Sequence, residues 1–207
     1  DVATSLYSLA ELYHSQGKFE AAEPLHQRAL AIREKALGPE HLDVAASLNK
    51  LADIYGHLGK YEAAEPLHQR VRAIWEKALG PEHLDVAISL SNLAELYSAQ
   101  GKHAAAEPLY QRVLAIREKT LGPEHLDVAT SLNNLAAVYS NQEKYAAVEP
   151  LYQRMLAIRE KALGPEHLDV ARVLEAYAAL LRTTDRQAEA EKLEARAKAI
   201  RDKHEQQ

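Results

Sequence analysis

Apolar positions along this chain fall into two alternating helical registers that return every 42 residues. In one block Val44, Ala45, Leu48, Leu51, Ala52 and Tyr55 follow i, i+3/i+4 spacing, which at about 100° per residue gathers them on one helix face. Asp43 is the expected N-cap of this helix, which runs to about Leu58. Gly59-Lys60 makes a short turn. A second helix is predicted from Tyr61 to Leu79, with Ala63, Leu67, Val71 and Ile74 as its apolar stripe and Tyr61, His68 and Leu79 flanking it. Gly80 is expected to end it in a left-handed conformation, and Pro81 blocks its continuation. Blocks begin at Asp1, Asp43, Asp85, Asp127 and Asp169, and 25 of the 42 columns are identical in the four full blocks, so the self-similarity is structural and not compositional. The prediction is an all-α solenoid of five helix-turn-helix repeats, ten helices in a single domain spanning 1–207. Its repeats are 1–42, 43–84, 85–126 and 127–168, followed by a C-terminal capping repeat, 169–207. Short connectors oblige successive helices to pack antiparallel.

The pattern L-x-x-L-A-x-x-Y-x-x-x-G-K-Y-x-A-A-E-P-L from Leu48 to Leu67 resembles the tetratricopeptide repeat, in the 42-residue form typified by kinesin light chains. LNNLAAVY (Leu132 to Tyr139) and LAIREKALGPEHLDVA (Leu156 to Ala171) are similar to that subclass, and the likeness covers essentially the whole chain. The resemblance implies a right-handed superhelix whose first helices line a concave groove, and a role in binding proteins.

The last block departs from the others. Asp185-Arg186 replaces the Gly-Lys turn, Lys192 replaces the proline, and a helix from about Gln187 to His204 rich in Glu, Lys and Arg suits a face that meets water. At the other end Asp1 stands where a GPEHL loop would precede it, so the chain is expected to be the C-terminal part of a longer, bacterial-type array, with end-to-end self-association through an uncovered first repeat as an alternative. A hydrophobic share of 47% excludes a disordered polyelectrolyte, and a net charge of −5 argues against nucleic acid as partner. The chain carries neither a signal-peptide pattern nor a spanning apolar run, from which a cytoplasmic location without membrane insertion is expected.

Variation between blocks concentrates on one side of the first helix, within an arc of about 120° opposite the invariant face. In chain order these columns hold Tyr7, Ser8, Glu11 and His14; Asn49, Lys50, Asp53 and His57; Ser91, Asn92, Glu95 and Ser98; Asn133, Asn134, Ser140 and Asn141; and Arg172 and Glu175. Drift of exposed positions is one explanation. Against it, Glu65, Gln69, Glu76 and Lys77 on the second helix are unchanged in all four full blocks although they too are expected to face outward. The preferred reading is a peptide-binding groove, in which asparagines donate to and accept from an extended main chain. The resemblance implies that a carboxylate-clamp tetratricopeptide domain would carry a pair of Lys/Arg columns here; only Lys50 occupies such a site, which disfavours an acidic C-terminal ligand. Glu11, Asp53 and Glu95 make the first three blocks mildly acidic and Arg172 and Arg182 make the end basic, a polarity that would orient a ligand.

The remaining motifs read as structural. Glu-His-Leu-Asp recurs around His41, His83, His125 and His167, where histidine can bond local backbone. His14 and His57 occupy groove columns on separate repeats, and no metal site is expected there. Pro24, Pro66, Pro108 and Pro150 lie inside second helices and are expected to set curvature. Trp75 stands where other blocks have arginine, while Arg72 one turn earlier replaces leucine, an exchange that preserves packing in shifted form or else marks a contact surface. No phosphate loop, nucleophile elbow or zinc-protease helix occurs, so neither an enzyme nor a cofactor is expected. The expected function is a protein-protein interaction scaffold for a peptide or partner domain. The alternatives are a spacer or self-associating module, or a regulatory region of a larger protein.

Overall fold

The computed structural model describes residues 2–205. They form ten α-helices packed pairwise in sequential repeats: α1 (Val2–Ser15), α2 (Phe19–Leu37), α3 (Leu42–His57), α4 (Tyr61–Leu79), α5 (Leu84–Ala99), α6 (His103–Leu121), α7 (Leu126–Asn141), α8 (Tyr145–Leu163), α9 (Leu168–Thr183) and α10 (Gln187–Glu205). They divide into two compact units, one ending at Leu109 and the other starting at Tyr110, so that the boundary falls inside α6.

In the first unit, Leu30 of α2 packs with Val44, Ala45, Leu48 and Leu51 of α3 and with Val71 and Ile74 of α4. α3 is thus clasped between two second helices, which is why its apolar face is broad. Ala52, Ala64, Leu93 and Leu96 continue the core, with Leu109 against them. On the second helix Val71 and Ile74 are buried as expected and Leu67 is half-buried, but near the helix start the covered side is shifted by one residue: Ala63 is exposed, whereas Ala64 and His68 are buried. Trp75 is half-buried against the Leu48 cluster, in keeping with the packing explanation of its exchange with Arg72.

The second unit repeats this scheme. Val128, Ala129 and Leu132 of α7 meet Met155 and Ile158 of α8 and Val173 of α9. Leu174 of α9 meets Ala197 and Ile200 of α10.

Two details of the loops differ from expectation. The N-cap is His41, not Asp43: its Nδ1 accepts from the Asp43 N–H at 3.1 Å, and His83, His125 and His167 do the same. A histidine nitrogen two residues upstream of that N–H reaches it directly, leaving the aspartate inside the first turn, where its charge favours the helix N-terminus. Gly80 has φ 89° and ψ 156°, an extended positive-φ conformation and not the left-handed helical one. It is a region essentially confined to glycine. The left-handed residues sit instead in the turns within repeats, at Gly59 (φ 70°) and, at the same register, at Glu143 (φ 58°) and Asp185 (φ 60°). The second helices run unbroken across Pro24, Pro66, Pro108 and Pro150.

Candidate functional site

In the first unit the varying columns of successive first helices meet one another. His14 Nε2 of α1 lies 3.0 Å from Asp53 Oδ2 of α3, Lys50 Nζ lies 3.1 Å from Glu11 Oε2, and Asn92 of α5 donates to Asn49 Oδ1 at 2.9 Å. The surface is therefore continuous from α1 through α3 to α5. Its side chains are half-buried or exposed, except Ser91, which is buried. A cleft of about 270 Å³ opens on it, walled by Asp53, Gly56, His57, Asn92, Glu95 and Ala99, with Ala52, Tyr61, His68 and Leu96 as further lining.

The electrostatics are more balanced than the sequence suggests. Glu11 faces Lys50 and also lies 3.3 Å from Nε2 of the fully buried His26. Burial pulls the His26 pKa down against the opposing pull of Glu11, so the ring is favoured neutral. Burial also acts to lower Lys50, but its hydrogen bond to Glu11 and the charge of that carboxylate outweigh this and raise its pKa. Tyr7, edge-on to His26 and beneath the Arg33 guanidinium, is raised by burial and by Glu11. His68, 4% exposed, is pulled down to about 4 by burial, with Asp53 opposing.

Asp53 lies between two histidines, His14 on one oxygen and His57 on the other at 3.8 Å. The ring of Phe19 stacks on His57 with centroids 4.3 Å apart and an interplanar angle of 8°. It meets His14 edge-on at 5.3 Å. Sequence reading assigned His14 and His57 to separate repeats; packing of α1 beside α3 brings them together.

In the second unit, Asn133 and Arg172 line a depression of about 250 Å³ with Arg159, Asp169, Val173 and Ala176. The amides of Asn133 and Asn134 have no intramolecular hydrogen bond among the described residues. Other predicted groove residues are already engaged. Asn141 donates back to the Ala137 carbonyl, Arg172 pairs with Asp169 at 2.6 Å, and Glu175 takes a two-pronged hydrogen bond from Arg201, which lowers its pKa. Arg182 is held in the same two-pronged way by Glu194. The basic end of the expected polarity is therefore locally neutralised.

The constancy of the second-helix polar residues has a structural cause. Lys77 pairs with Glu40, and Arg70 with Glu34 at 2.6 Å, each linking a second helix to the preceding repeat. Arg154–Glu118, Lys161–Glu124 and Arg196–Glu160 repeat these links in the second unit. Glu65 accepts from the Tyr97 hydroxyl at 2.8 Å and from Gln69 at 3.1 Å. In the last repeat, where leucine replaces that tyrosine at Leu181, Tyr177 donates from one turn earlier to Glu149. Residues that stitch repeats together cannot vary independently. The first-helix columns also touch across repeats, but through a different pair of residues each time: His14–Asp53, Glu11–Lys50 and Asn49–Asn92.

No helix among the described residues is long and apolar enough to cross a membrane. Comparison with curated proteins finds no significant match. Among solved structures, a candidate kinesin light chain of Podosopora anserina with nearly identical TPR-like repeats is 30% identical, with a TM-score of 0.88 over 99% of this chain and 97% of that one. BtubC (BKLC) from P. vanneervenii is 25% identical, with a TM-score of 0.85 over 97% of this chain and 80% of that one. MamA shares the fold at 17% identity, with a TM-score of 0.68 over 96% of this chain and 97% of that one. The tetratricopeptide repeat family profile matches in overlapping stretches, residues 1–74, 43–119, 99–161 and 127–203. Repeats of this kind generally serve as protein–protein interaction modules and are generally non-enzymatic. With its helix pairs in register along the matched stretches, the chain belongs to the tetratricopeptide repeat family.

Proposed function

We propose that the first-helix faces bind an extended peptide or a protruding segment of a partner protein, without cofactor. The observation that carries this reading is the continuity of the varying columns: His14 reaches Asp53 and Asn92 reaches Asn49 across successive repeats, so substitutions in separate repeats modify one surface. Variation gathered there, while the second helices keep the residues that join repeats, is the pattern of a face diversified for recognition. Because the charged side chains on it are largely paired within the chain, recognition rests on main-chain hydrogen bonding and shape more than on net charge. Asn133 and Asn134 are the side chains best placed to supply that bonding in the second unit.

The test is a peptide array read with the wild-type chain and with Asn133→Ala/Asn134→Ala. Loss of hydrogen bonds that become buried on binding weakens affinity by roughly 1–3 kcal/mol. Peptides retained equally by both chains would rule out the asparagine face.

A further inference from the structure

His14, Asp53 and His57 present three ligand-type atoms that all lie within 4.8 Å of one another. Both imidazoles approach the Asp53 carboxylate, on different oxygens: His14 Nε2 lies 3.0 Å from Oδ2 and His57 Nε2 3.8 Å from Oδ1. Zinc–nitrogen and zinc–oxygen bonds of about 2.0–2.1 Å at tetrahedral angles place ligand atoms roughly 3.3 Å apart. The observed spacings bracket that value, so small side-chain rotations suffice to converge the donors on one ion. We propose that these three residues bind a single divalent transition-metal ion of the zinc class on the first-helix face of the first unit.

Three features favour a site over a chance contact. Asp53 and His57 are four residues apart on α3 and so share a face, while His14 comes from α1, so the donors approach from two rigid helices. Phe19 restrains both rings, lying flat on His57 and edge-on to His14, which reduces the freedom lost on binding. Two imidazoles and one carboxylate suit zinc, cobalt or nickel, whereas magnesium and calcium demand an all-oxygen shell. With three protein ligands, the fourth tetrahedral position is left to water. The ion would fasten α1 to α3 across a repeat boundary, whether or not a peptide occupies the same face. The His–Asp pairs at the helix caps offer no equivalent, because each histidine Nδ1 already accepts a backbone N–H.

The experiment is titration of the full chain, stripped of metal, with Zn²⁺ against a chromophoric chelator, repeated with Co²⁺ to read coordination from its visible absorption. One Zn²⁺ per chain is expected, with affinity falling more than about tenfold in each of His14→Ala, Asp53→Asn and His57→Ala. His125→Ala, at a cap, is expected to bind as wild type does. Far-UV circular dichroism identifies any variant that fails to fold; because His14 and His57 lie on different helices, either one alone still decides the question. Absence of stoichiometric Zn²⁺ binding by the wild type, or wild-type affinity in the folded variants, overturns the proposal.

Discussion

Burial of His68 makes the second repeat sensitive to acid in a pH range where ordinary carboxylates are still ionised. The ring is 4% exposed, its Nδ1 lacks a hydrogen-bond partner, and its pKa is held down to about 4. An unfolded chain protonates this histidine near 6.5. Above that pH both states are neutral and nothing changes. Between about 6.5 and 4 only the unfolded state takes up the proton, so stability falls with decreasing pH; below about 4 both states are protonated and the loss levels off. The difference of about 2.5 pH units corresponds to a ceiling on the order of 3 kcal/mol, of which about 2 kcal/mol is lost between pH 7 and pH 5. His26, also buried and lowered, adds to the wild-type slope in the same direction. The decisive comparison is His68→Tyr, since Tyr110 and Tyr152 hold that register in the next two repeats and the adjoining cleft leaves room for the larger ring. Urea midpoints followed by fluorescence of Trp75, the single tryptophan and seven residues along the same helix, report on this repeat. The wild type should lose about 2 kcal/mol more than the variant between pH 7 and pH 5. Parallel pH profiles would refute the reasoning, whatever the variant's absolute stability.

Three further outcomes follow from the geometry. Glu143→Gly relieves a left-handed non-glycine residue (φ 58°) at a register where Gly17, Gly59 and Gly101 stand, and thermal denaturation should register a net gain of roughly 0.5–1 kcal/mol. His125→Ala removes the acceptor of the Asp127 N–H and should cost about 1 kcal/mol in urea unfolding, while His125→Asn, which can still cap, should recover most of it. Met155→Ala empties a fully buried position between α7, α8 and α9 and should cost about 2–5 kcal/mol, with hydrogen-exchange protection falling first in the second unit.

The features readable in the sequence are those encoded within one helix and its ends. Spacing within the first helix identifies Val44, Ala45, Leu48, Leu51, Ala52 and Tyr55 as core; the first five are buried and Tyr55 is half-buried against them. The 42-residue period and its Gly-Pro loops place ten helices to within a residue or two. What surrounds a helix on both sides is another matter. A second helix touches first helices from two repeats, so its apolar stripe alone does not tell which flank is covered; His68 appeared a flank and is interior, while Ala63 appeared core and is exposed. The cap was legible as a motif, but whether His41 or Asp43 served as the N-cap depended on where the chain left the loop.

The candidate site divides along the same line. Block-to-block variation marked one face of the first helices from sequence alone. The convergence of His14 with Asp53 and His57 did not follow from it, because a strict repeat would set position 14 opposite position 56, and packing instead offsets the contact by about one turn, to Asp53. Likewise the invariance of Lys77 and Glu65 acquired its reason only when Glu40 and Tyr97 were found beside them. Local hydrogen bonding and helical periodicity act over a few residues and are written in the order of side chains. The offset between neighbouring helices is a compromise among side chains from three helices, and it exists only once they are packed.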